Sequence, residues 1–339
     1  MNGDLQTYLP IINIFLPIII DEILRPLIKR VSVINKHKDL NDKQIEAAFI
    51  EYIKRTYTKL SSMNVLVFPN QQINIKNIYQ PLTIYERRPK ESIKIELANT
   101  DFIPTYKKVL FSDAAGMGKS TLLKWIGISL LENHLSIPIL IELRRLSNNN
   151  TLLDEILHQL QPIDCEFDKS LLFQIIEKGK FTILLDGFDE IPYDYREAVV
   201  QNIKDFINKA GNNWYILASR PDATLPAFGE FRRFYIAPLT KDDAYNLIKK
   251  YDTFNKNAFS SELIEKIEGQ YSQVREFLRN PFLVSLLYKA YTFNKDIPSK
   301  KCSFYDEVYT ALYKYHDLTK DGYIRRKKSN LNISLIHRL

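Results

Sequence analysis

The amino-acid sequence predicts an α/β fold in which a parallel sheet is covered by helices on both faces. From Lys108 onward, short continuous apolar runs alternate with stretches of helical periodicity. Strands buried on both faces have this apolar character, and an intervening helix returns the chain for parallel pairing. The runs are VLF, IPILIEL, FTILLD and WYILAS, at residues 109–111, 137–143, 181–186 and 214–219. The 339 residues, 45% of them hydrophobic, suffice for one large core of this kind with smaller helical units beside it.

The composition argues against a small stapled fold. The two cysteines, Cys165 and Cys302, lie far apart and form no CxxC or Cys/His cluster, so neither a disulfide framework nor a zinc site is predicted, and a reducing cytosol fits. The net charge of +7 permits contact with nucleic acid or an anionic membrane but does not require it, since charge runs are usually solvated faces. Nucleic acid is therefore kept only as an alternative partner.

The N-terminal segment contains an apolar run, LPIINIFLPIII, at residues 9–20. The run is shorter than the roughly 20 residues that a membrane-spanning helix needs. It also lacks the basic residues and the cleavage site of a signal peptide. We expect a buried helix interrupted or bounded by prolines. The alternative is a segment that contacts a membrane or drives self-association.

Residues 41–60 predict an amphipathic helix, with Asn41 and Gln44 as its capping pair. The apolar face consists of Ile45, Phe49, Tyr52, Ile53, Tyr57 and Leu60. Residues 65–85 form short extended pieces broken by Pro69 and Pro81. We therefore expect residues 1–85 to form an N-terminal helical unit with a connector.

Two elements follow the four central strands. FRRFYIA, at residues 231–237, predicts a fifth strand at the edge of the sheet. Thr240 begins a helical pattern with Asp243 at the capping-box position, and the helical region continues to about Asp317.

The loop after the first strand carries the strongest functional signal. It reads DAAGMGKST at residues 113–121, between a strand and a helix, which is the context that a Walker A motif requires. Gly116 and Gly118 allow backbone N–H groups to approach phosphate oxygens, and the helix N-terminus adds its dipole. The predicted nucleotide-binding residues are Ala114, Ala115, Gly116, Met117, Gly118, Lys119, Ser120 and Thr121.

Within this loop, Lys119 is expected to reach the β and γ phosphates, and Ser120 to bind Mg²⁺ through its hydroxyl. Thr121 is expected to face the α phosphate or to cap the turn. Asp113 replaces the first glycine of the consensus GxxxxGK[ST]. Because this position is expected to need a tight turn, and Asp tolerates positive φ better than most residues, we expect the loop to form with weakened phosphate affinity.

The third apolar run delivers a group of carboxylates. FTILLD ends at Asp186 and is followed by Gly, Phe, Asp189 and Glu190. Doubly wound folds bind ligands at the carboxyl ends of their strands. Asp186 is therefore the predicted Walker B metal ligand, together with Ser120. Either Asp189 or Glu190 is expected to orient or deprotonate the water that attacks the γ phosphate.

An arginine follows the fourth run, WYILAS, directly. Arg220 lies after the strand end at Ser219, where a guanidinium can detect whether a γ phosphate is present. Arg220 is therefore placed with Asp189 and Glu190 among the predicted catalytic residues.

The motifs AAGMGKST, LLDGFDE and ASRP, in this order, resemble those of the NACHT family of STAND P-loop NTPases, which includes bacterial NLR-like anti-phage defence proteins. The resemblance covers about residues 85–320. It implies a P-loop domain at 86–239, a helical domain at 240–318 and the start of a winged-helix region or tail at 319–339. It also implies that residues 1–85 hold an effector of unassigned chemistry.

Two further residues are interpreted through this resemblance. LRNPFLVSLLY, at 278–288, is similar to the helical-domain motif whose proline packs on the adenine, here Pro281. The alternative is that Asn280 and Pro281 merely start a core helix. His316 lies in an amphipathic helical pattern rather than in the winged-helix motif, so we expect it to be structural.

The resemblance implies a switch that is held by ADP, assembles into homo-oligomers with ATP and Mg²⁺, hydrolyses ATP slowly and responds to a phage or host trigger in the bacterial cytoplasm. Since the chain ends at Leu339 without a repeat array, we expect a minimal or truncated member, or a fragment with a separate sensor. The alternatives are a nucleotide-locked scaffold without turnover, a small-molecule kinase and a nucleic-acid motor. No arginine-rich lid supports the kinase, and only the net charge supports the motor.

Overall fold

A computed structural model describes residues 2–34, 42–65, 67–86, 92–96, 102–161, 168–255, 258–294 and 297. The predictions for Asn41, for His316 and for the winged-helix region at 319–339 lie outside these residues.

The described strands form a hairpin and a seven-stranded sheet. The hairpin pairs β1 and β2 antiparallel, and the order in the large sheet is β4-β3-β9-β5-β8-β7-β6. The strands are β1 (Ser62–Val65), β2 (Phe68–Asn74), β3 (Leu82–Tyr85), β4 (Ser92–Ile95), β5 (Lys108–Ser112), β6 (Ile137–Glu142), β7 (Phe181–Asp186), β8 (Trp214–Ser219) and β9 (Arg232–Ile236).

The five strands from β5 to β9 pair in parallel, as predicted, and their carboxyl ends lie at one edge. β5 lies between β9 and β8 in the middle of the sheet. The prediction that residues 231–237 form an edge strand is wrong. β9 pairs with β5 on one side and antiparallel with β3 on the other, because the short hairpin of β3 and β4 extends the sheet beyond it.

The described helices flank the sheet and also precede and follow its strands along the chain. They are α1 (Asn2–Ile19), α2 (Arg25–Ile34), α3 (Asp42–Ser61), α4 (Ile75–Ile78), α5 (Phe102–Tyr106), α6 (Lys119–Glu132), α7 (Leu152–Leu160), α8 (Lys169–Glu177), α9 (Tyr193–Lys209), α10 (Lys241–Asp252), α11 (Ser260–Gly269), α12 (Tyr271–Leu278) and α13 (Pro281–Asn294). A π-helical turn, Ile20–Leu24, joins α1 to α2.

The N-terminal apolar run forms part of α1, and its prolines do not interrupt the helix. Pro10 and Pro17 are exposed, and the carbonyl groups that lose their helical partners belong to the exposed residues Gln6 and Asn13. The run buries one face and leaves Ile14 71% exposed. Among the described helices, none is long and apolar enough to cross a membrane.

The N-terminal helices pack directly against the sheet layer. All six residues predicted for the apolar face of α3 are buried. Within this layer, the hydroxyl of Tyr52 donates to the carbonyl oxygen of Pro138 in β6 at 2.9 Å, and the ring centroid of Phe49 lies 6.1 Å from that of Phe181 in β7. One continuous apolar core includes residues of α1, α3 and the sheet.

The predicted domain boundary after residue 85 falls between β3 and β4, which pair with each other. The boundary before residue 240 coincides with the start of α10, where Thr240 and Asp243 form the predicted capping box. The domain limits themselves stay predictions. What the fold establishes for the site is the common edge formed by the ends of β5, β6, β7 and β8.

Candidate functional site

The loop between β5 and α6 has the backbone shape expected of a phosphate-binding loop. Gly116 and Gly118 have φ of 78° and 91°, in the left-handed region that glycine adopts at low cost. Gly118 is also the N-cap of α6, so the free N–H groups of the helix N-terminus lie next to the loop.

Asp113, the departure from the consensus, is not in the left-handed region. Its Oδ1 accepts from the backbone N–H of Ala114 at 2.7 Å, and its Oδ2 accepts from that of Ile236, the last residue of β9, at 2.8 Å. Its own N–H donates to the carbonyl oxygen of Ser219 at 3.2 Å. The expectation that this position needs a tight turn with positive φ is therefore wrong. The carboxylate ties the loop to the end of β9, and the backbone N–H of Asp113 ties it to the end of β8.

Lys119 is half-buried at the start of α6. Its Nζ donates to the carbonyl oxygens of Asp113 and Ala114, each at 2.6 Å. Burial lowers the pKa of Lys119 to about 8, against the opposing effect of the Asp189 and Asp113 carboxylates. The ammonium group thus lies inside the loop in a poorly solvated position, where a polyanion would stabilise its charge.

Ser120 and Asp186 meet across the cleft. The hydroxyl of Ser120 donates to Oδ1 of Asp186 at 3.1 Å, although the two residues lie on different elements, α6 and the end of β7. A hydroxyl and a carboxylate are oxygen ligands of the kind that Mg²⁺ prefers, with substrate phosphate oxygens completing its coordination. The described residues contain no cluster of three or more His, Cys, Asp or Glu that could hold a metal. The oxygen pair therefore fits a cation shared with a phosphate rather than one enclosed by protein ligands.

Asp189 is held by arginines. Its Oδ1 accepts from the backbone N–H of Arg220 at 2.9 Å, and its Oδ2 lies 3.4 Å from Nε of the same residue. Arg196 donates to the carbonyl oxygens of Asp189 and Ile191 and pairs with Asp222 at 2.8 Å. These contacts fix the position of Arg220 beside the acidic loop.

Glu190 is buried, with 6% of its surface exposed. Its Oε2 lies 3.9 Å from Nη1 of Arg144, and Nη2 of that arginine donates to Glu142 at 2.7 Å. Glu142 ends β6 and is in register with Asp186 at the end of β7. Burial acts to raise the pKa of Glu142, but the charges of Arg144 and Arg145 outweigh it, so that this pKa lies below its ordinary value.

A cavity of ≈ 290 Å³ brings most of the predicted site residues together. Those that line it are Ala115, Gly116, Gly118, Lys119, Ser120, Thr121, Asp186, Asp189, Glu190, Arg220 and Pro281. Ala114 and Met117 do not line it. Ala114 is exposed, and Met117 is buried with its sulfur 3.5 Å from Nδ2 of Asn280.

The sequence reasoning missed one wall of this cavity. Residues before the loop line it, namely Met63, Asn64, Val65, Ile78, Tyr79, Gln80 and Leu82. Tyr79 stacks on Trp125 of α6 with ring centroids 4.1 Å apart, and its carbonyl oxygen accepts from Lys250 of α10. No local pattern marks these residues, because their place depends on distant contacts with α6, such as those of Ser62 with Lys124 and of Tyr79 with Trp125. Arg144 and Glu142 were also missed, but strand-end reasoning of the kind applied to Asp186 finds them.

The start of α13 contacts the outside of the loop. Asn280 donates from Nδ2 to the carbonyl oxygen of Ala115 at 3.1 Å and accepts at Oδ1 from the backbone N–H of Phe282 at 2.9 Å. The N–H of Phe282 also lies 3.3 Å from the carbonyl oxygen of Gly116. A Cβ on Gly116 would lie 2.8 Å from Oδ1 of Asn280, so no other residue fits there without a shift. The helical region is therefore joined to the loop itself.

Residues 108–255 match the family model of the NACHT domain. The matched segment contains the glycine loop between β5 and α6, the acidic strand end and Arg220, so the family match and the geometry support a NACHT P-loop NTPase over the same residues. A comparison with curated proteins found no match.

Two solved structures are distant likenesses. "Structure of C. elegans PCH-2" is 15% identical with a TM-score of 0.35, and covers 63% of this chain and 64% of its own. The Thermotoga maritima RuvB Holliday junction branch migration motor is 15% identical with a TM-score of 0.36, and covers 66% of this chain and 68% of its own. The chain thus spans less than two thirds of the length of the C. elegans protein it resembles.

Proposed function

We propose that this chain is a NACHT/STAND signalling switch that binds ATP or ADP with Mg²⁺ and hydrolyses ATP slowly. One observation carries the proposal. A single cavity joins the glycine loop with Lys119, the pair of Ser120 and Asp186, and the pair of Asp189 and Arg220. These are the donors, metal ligands and carboxylates that phosphoryl chemistry uses, and they come from α6 with the loop before it, the end of β7, the one-turn helix after β7 and the end of β8.

The loop and the start of α6 bind the phosphates in this proposal. Backbone N–H groups of the loop residues that line the cavity bind the phosphate oxygens, and the dipole of α6 adds to their attraction. Lys119 exchanges its two carbonyl partners for phosphate oxygens, which stabilise its charged form. Pro281 and the wall formed by β1 and residues 78–82 lie where the adenine would pack.

Ser120 and Asp186 would hold Mg²⁺, and the ion would supply positive charge that offsets the charge of the bound phosphates. Asp189 keeps Arg220 at the edge of the cavity, where its guanidinium contacts the γ phosphate in the ATP state alone. Glu190, buried in the cavity wall, orients the attacking water. The chain's own groups thereby distinguish ATP from ADP and permit hydrolysis to return the protein to the ADP state.

The difference between the two nucleotides reaches the helical region through the contact of Asn280 with the loop. In the resemblance to NACHT proteins, such a change leads to homo-oligomers that act in bacterial anti-phage defence. We extend both properties to this chain as part of the proposal, with a cytoplasmic location, residues 1–85 as the possible effector unit, and domain limits at 86–239 and 240–318.

The test is the nucleotide content and mass of the purified chain. Nucleotide is extracted and identified, and light scattering is measured with and without ATP and Mg²⁺, beside the control Lys119→Ala. We expect co-purified ADP, growth in mass with ATP and Mg²⁺, and the loss of both in the control, since the ammonium group is removed from the phosphate loop.

Each other outcome has a defined meaning. If the protein binds nucleotide but neither grows in mass nor hydrolyses ATP, it is a nucleotide-locked scaffold and not a switch. A purified protein that carries no nucleotide and does not bind added ATP would overturn the proposal.

A further inference from the structure

Two neighbouring carboxylates in the cavity wall have different arginine partners. Asp189 accepts from the backbone N–H of Arg220 and pairs with its Nε, so it is committed to holding that residue. Glu190 instead lies 3.9 Å from Arg144, which comes from the turn after β6. The sequence did not distinguish the two acids, but their surroundings do.

Arg144 lies behind Glu190 rather than in the cavity. Its side chain is 11% exposed, it does not line the cavity, and it also donates to Glu142 at 2.7 Å. Glu190, by contrast, lines the cavity together with Lys119 and Ser120. The guanidinium thus pairs with the carboxylate from outside the cavity.

The backbone closes tightly around the same carboxylate. Gly187 has φ of 77°, and a Cβ built there would lie 3.1 Å from the carboxyl carbon and Oε2 of Glu190. The N–H of Glu190 donates to the carbonyl oxygen of Gly187 at 2.9 Å in the one-turn helix Phe188–Glu190. The turn fixes the backbone of Glu190, and Arg144 pairs with its side chain.

The charges that face Glu190 are arranged in two groups. Arg144 and Glu142 lie on the protein side, and Lys119 and Asp186 line the cavity side. Arg144 is the cation that contacts both Glu142 and Glu190. Its removal would leave Glu190 without this positive charge beside it. A buried carboxylate that loses its cation is destabilised in place and moves towards solvent, so the position of Glu190 would no longer be fixed.

We infer that Arg144 is a positioning residue that holds Glu190, and not Asp189, as the group that orients and deprotonates the attacking water. This inference rests on the proposed hydrolysis. In that step the water oxygen bonds to the γ phosphorus while the bond from that phosphorus to the β–γ bridging oxygen breaks. The water proton passes to Glu190 and from there to the products, ADP and phosphate.

The test compares Arg144→Gln with Arg145→Gln. Arg145 is the matched control, because it pairs with Glu142 and Glu155 and is 43% exposed. Single-turnover hydrolysis of ATP with Mg²⁺ and the Kd of a fluorescent ADP analogue are measured for each. We expect Arg144→Gln to slow hydrolysis about tenfold or more, since positioned bases contribute about 10²–10⁴-fold, with Kd changed less than about twofold. Arg145→Gln should match the wild type, and Arg144→Lys should recover part of the rate.

A double-mutant cycle separates positioning from a structural role. With Glu190→Gln in place, Arg144→Gln should slow hydrolysis no further, because the group that it positions is gone. If Arg144→Gln does not fold, the double variant Glu142→Gln with Arg144→Met removes the half-buried carboxylate of Glu142 along with the cation and serves in its place.

Three results would overturn the inference while leaving the proposed function intact: a wild-type rate in Arg144→Gln, rate losses that multiply in the double variant, or equal losses of rate and nucleotide affinity. A wild-type protein that binds nucleotide without hydrolysing it would overturn both the hydrolytic part of the proposed function and the inference.

Discussion

Asp113 shows how one residue can depart from a motif without weakening the structure that the motif builds. The consensus glycine predicts a backbone that only glycine adopts easily, yet Asp113 has no positive φ and its carboxylate accepts from Ala114 and Ile236. A consensus gives the usual residue, but it does not give the reason for that residue. The role of Asp113 depends on the end of β9, which is more than a hundred residues away in sequence.

Restoring the consensus should therefore destabilise the protein. Asp113→Gly removes both acceptors and leaves the N–H of Ile236 without this partner, at a cost of about 1–3 kcal/mol. We expect a lower thermal midpoint by calorimetry and no gain in nucleotide affinity. Asp113→Asn is the control, since its amide oxygen retains one acceptor. A variant with glycine that melts at the wild-type temperature would contradict this role.

Lys119 makes nucleotide affinity depend on pH. Its pKa in the folded protein is lowered to about 8 by burial, so the ammonium group is charged below that pH and neutral above it. Bound phosphates favour the charged form and raise this pKa, so binding above pH 8 must take up a proton. We expect affinity to be level below pH 8 and to fall by up to about tenfold per pH unit above it.

Calorimetric titrations at pH 7 and pH 9, in buffers of different ionisation enthalpy, measure that proton. Proton uptake should appear at pH 9 and be absent at pH 7. Lys119→Met should bind weakly and without uptake at either pH. Equal uptake in wild type and Lys119→Met would assign the proton to another group, such as Lys124, whose pKa burial also lowers.

At the scale of elements, the sequence predicted those whose signal is local. The central strands β5 to β8, the apolar face of α3 and the capping box of α10 all follow from periodicity or cap chemistry, and the structure confirms them. The predicted position of β9 at the sheet edge was wrong. Its position depends on pairing with β3, a four-residue strand with little sequence pattern of its own. Pairing between distant segments decides such positions.

The contact between α13 and the loop is a second feature of this kind. Asn280 caps the start of α13 through Oδ1 and donates from Nδ2 to the carbonyl oxygen of Ala115. One side-chain amide therefore hydrogen-bonds to both the helix and the loop. The carbonyl groups of Ala115 and Gly116 that face α13 belong to the loop whose N–H groups are proposed to bind phosphate. Hydrogen bonds at the two ends of a polarised chain strengthen one another.

Nucleotide should therefore stabilise the first turns of α13 through Asn280. Asn280→Ser keeps an N-cap oxygen but removes the donor to Ala115, and Asn280→Ala removes both. By hydrogen exchange, we expect added ADP to protect residues 282–288 in the wild type and to protect them less in Asn280→Ser. The serine variant without nucleotide should match the wild type more closely than the alanine variant does. Undiminished protection by ADP in Asn280→Ser would show that the loop and α13 are coupled elsewhere.

At the scale of the whole molecule, the N-terminal helices are part of the core that supports the cavity. α3 packs on α6, the helix that begins at Lys119, and Gly127 of α6 has no room for a Cβ because Leu60 would lie 2.8 Å from it. β1 and the residues after it supply a wall of the cavity. An effector in this segment would therefore be coupled mechanically to the nucleotide site, since the same side chains pack against both.

Phe49 tests whether the two parts unfold together. It is fully buried in α3 against Phe181 of β7, so Phe49→Ala should lower the free energy of unfolding by about 3–5 kcal/mol. In denaturant, we expect helical circular dichroism and nucleotide binding to be lost in one transition, at a lower midpoint than in the wild type. Asn13→Ala, on the exposed face of α1, is the control and should change stability by less than about 0.5 kcal/mol. Nucleotide binding that outlasts the loss of the N-terminal helices would instead show that residues 2–61 can leave the sheet, as an effector released on activation would need to do.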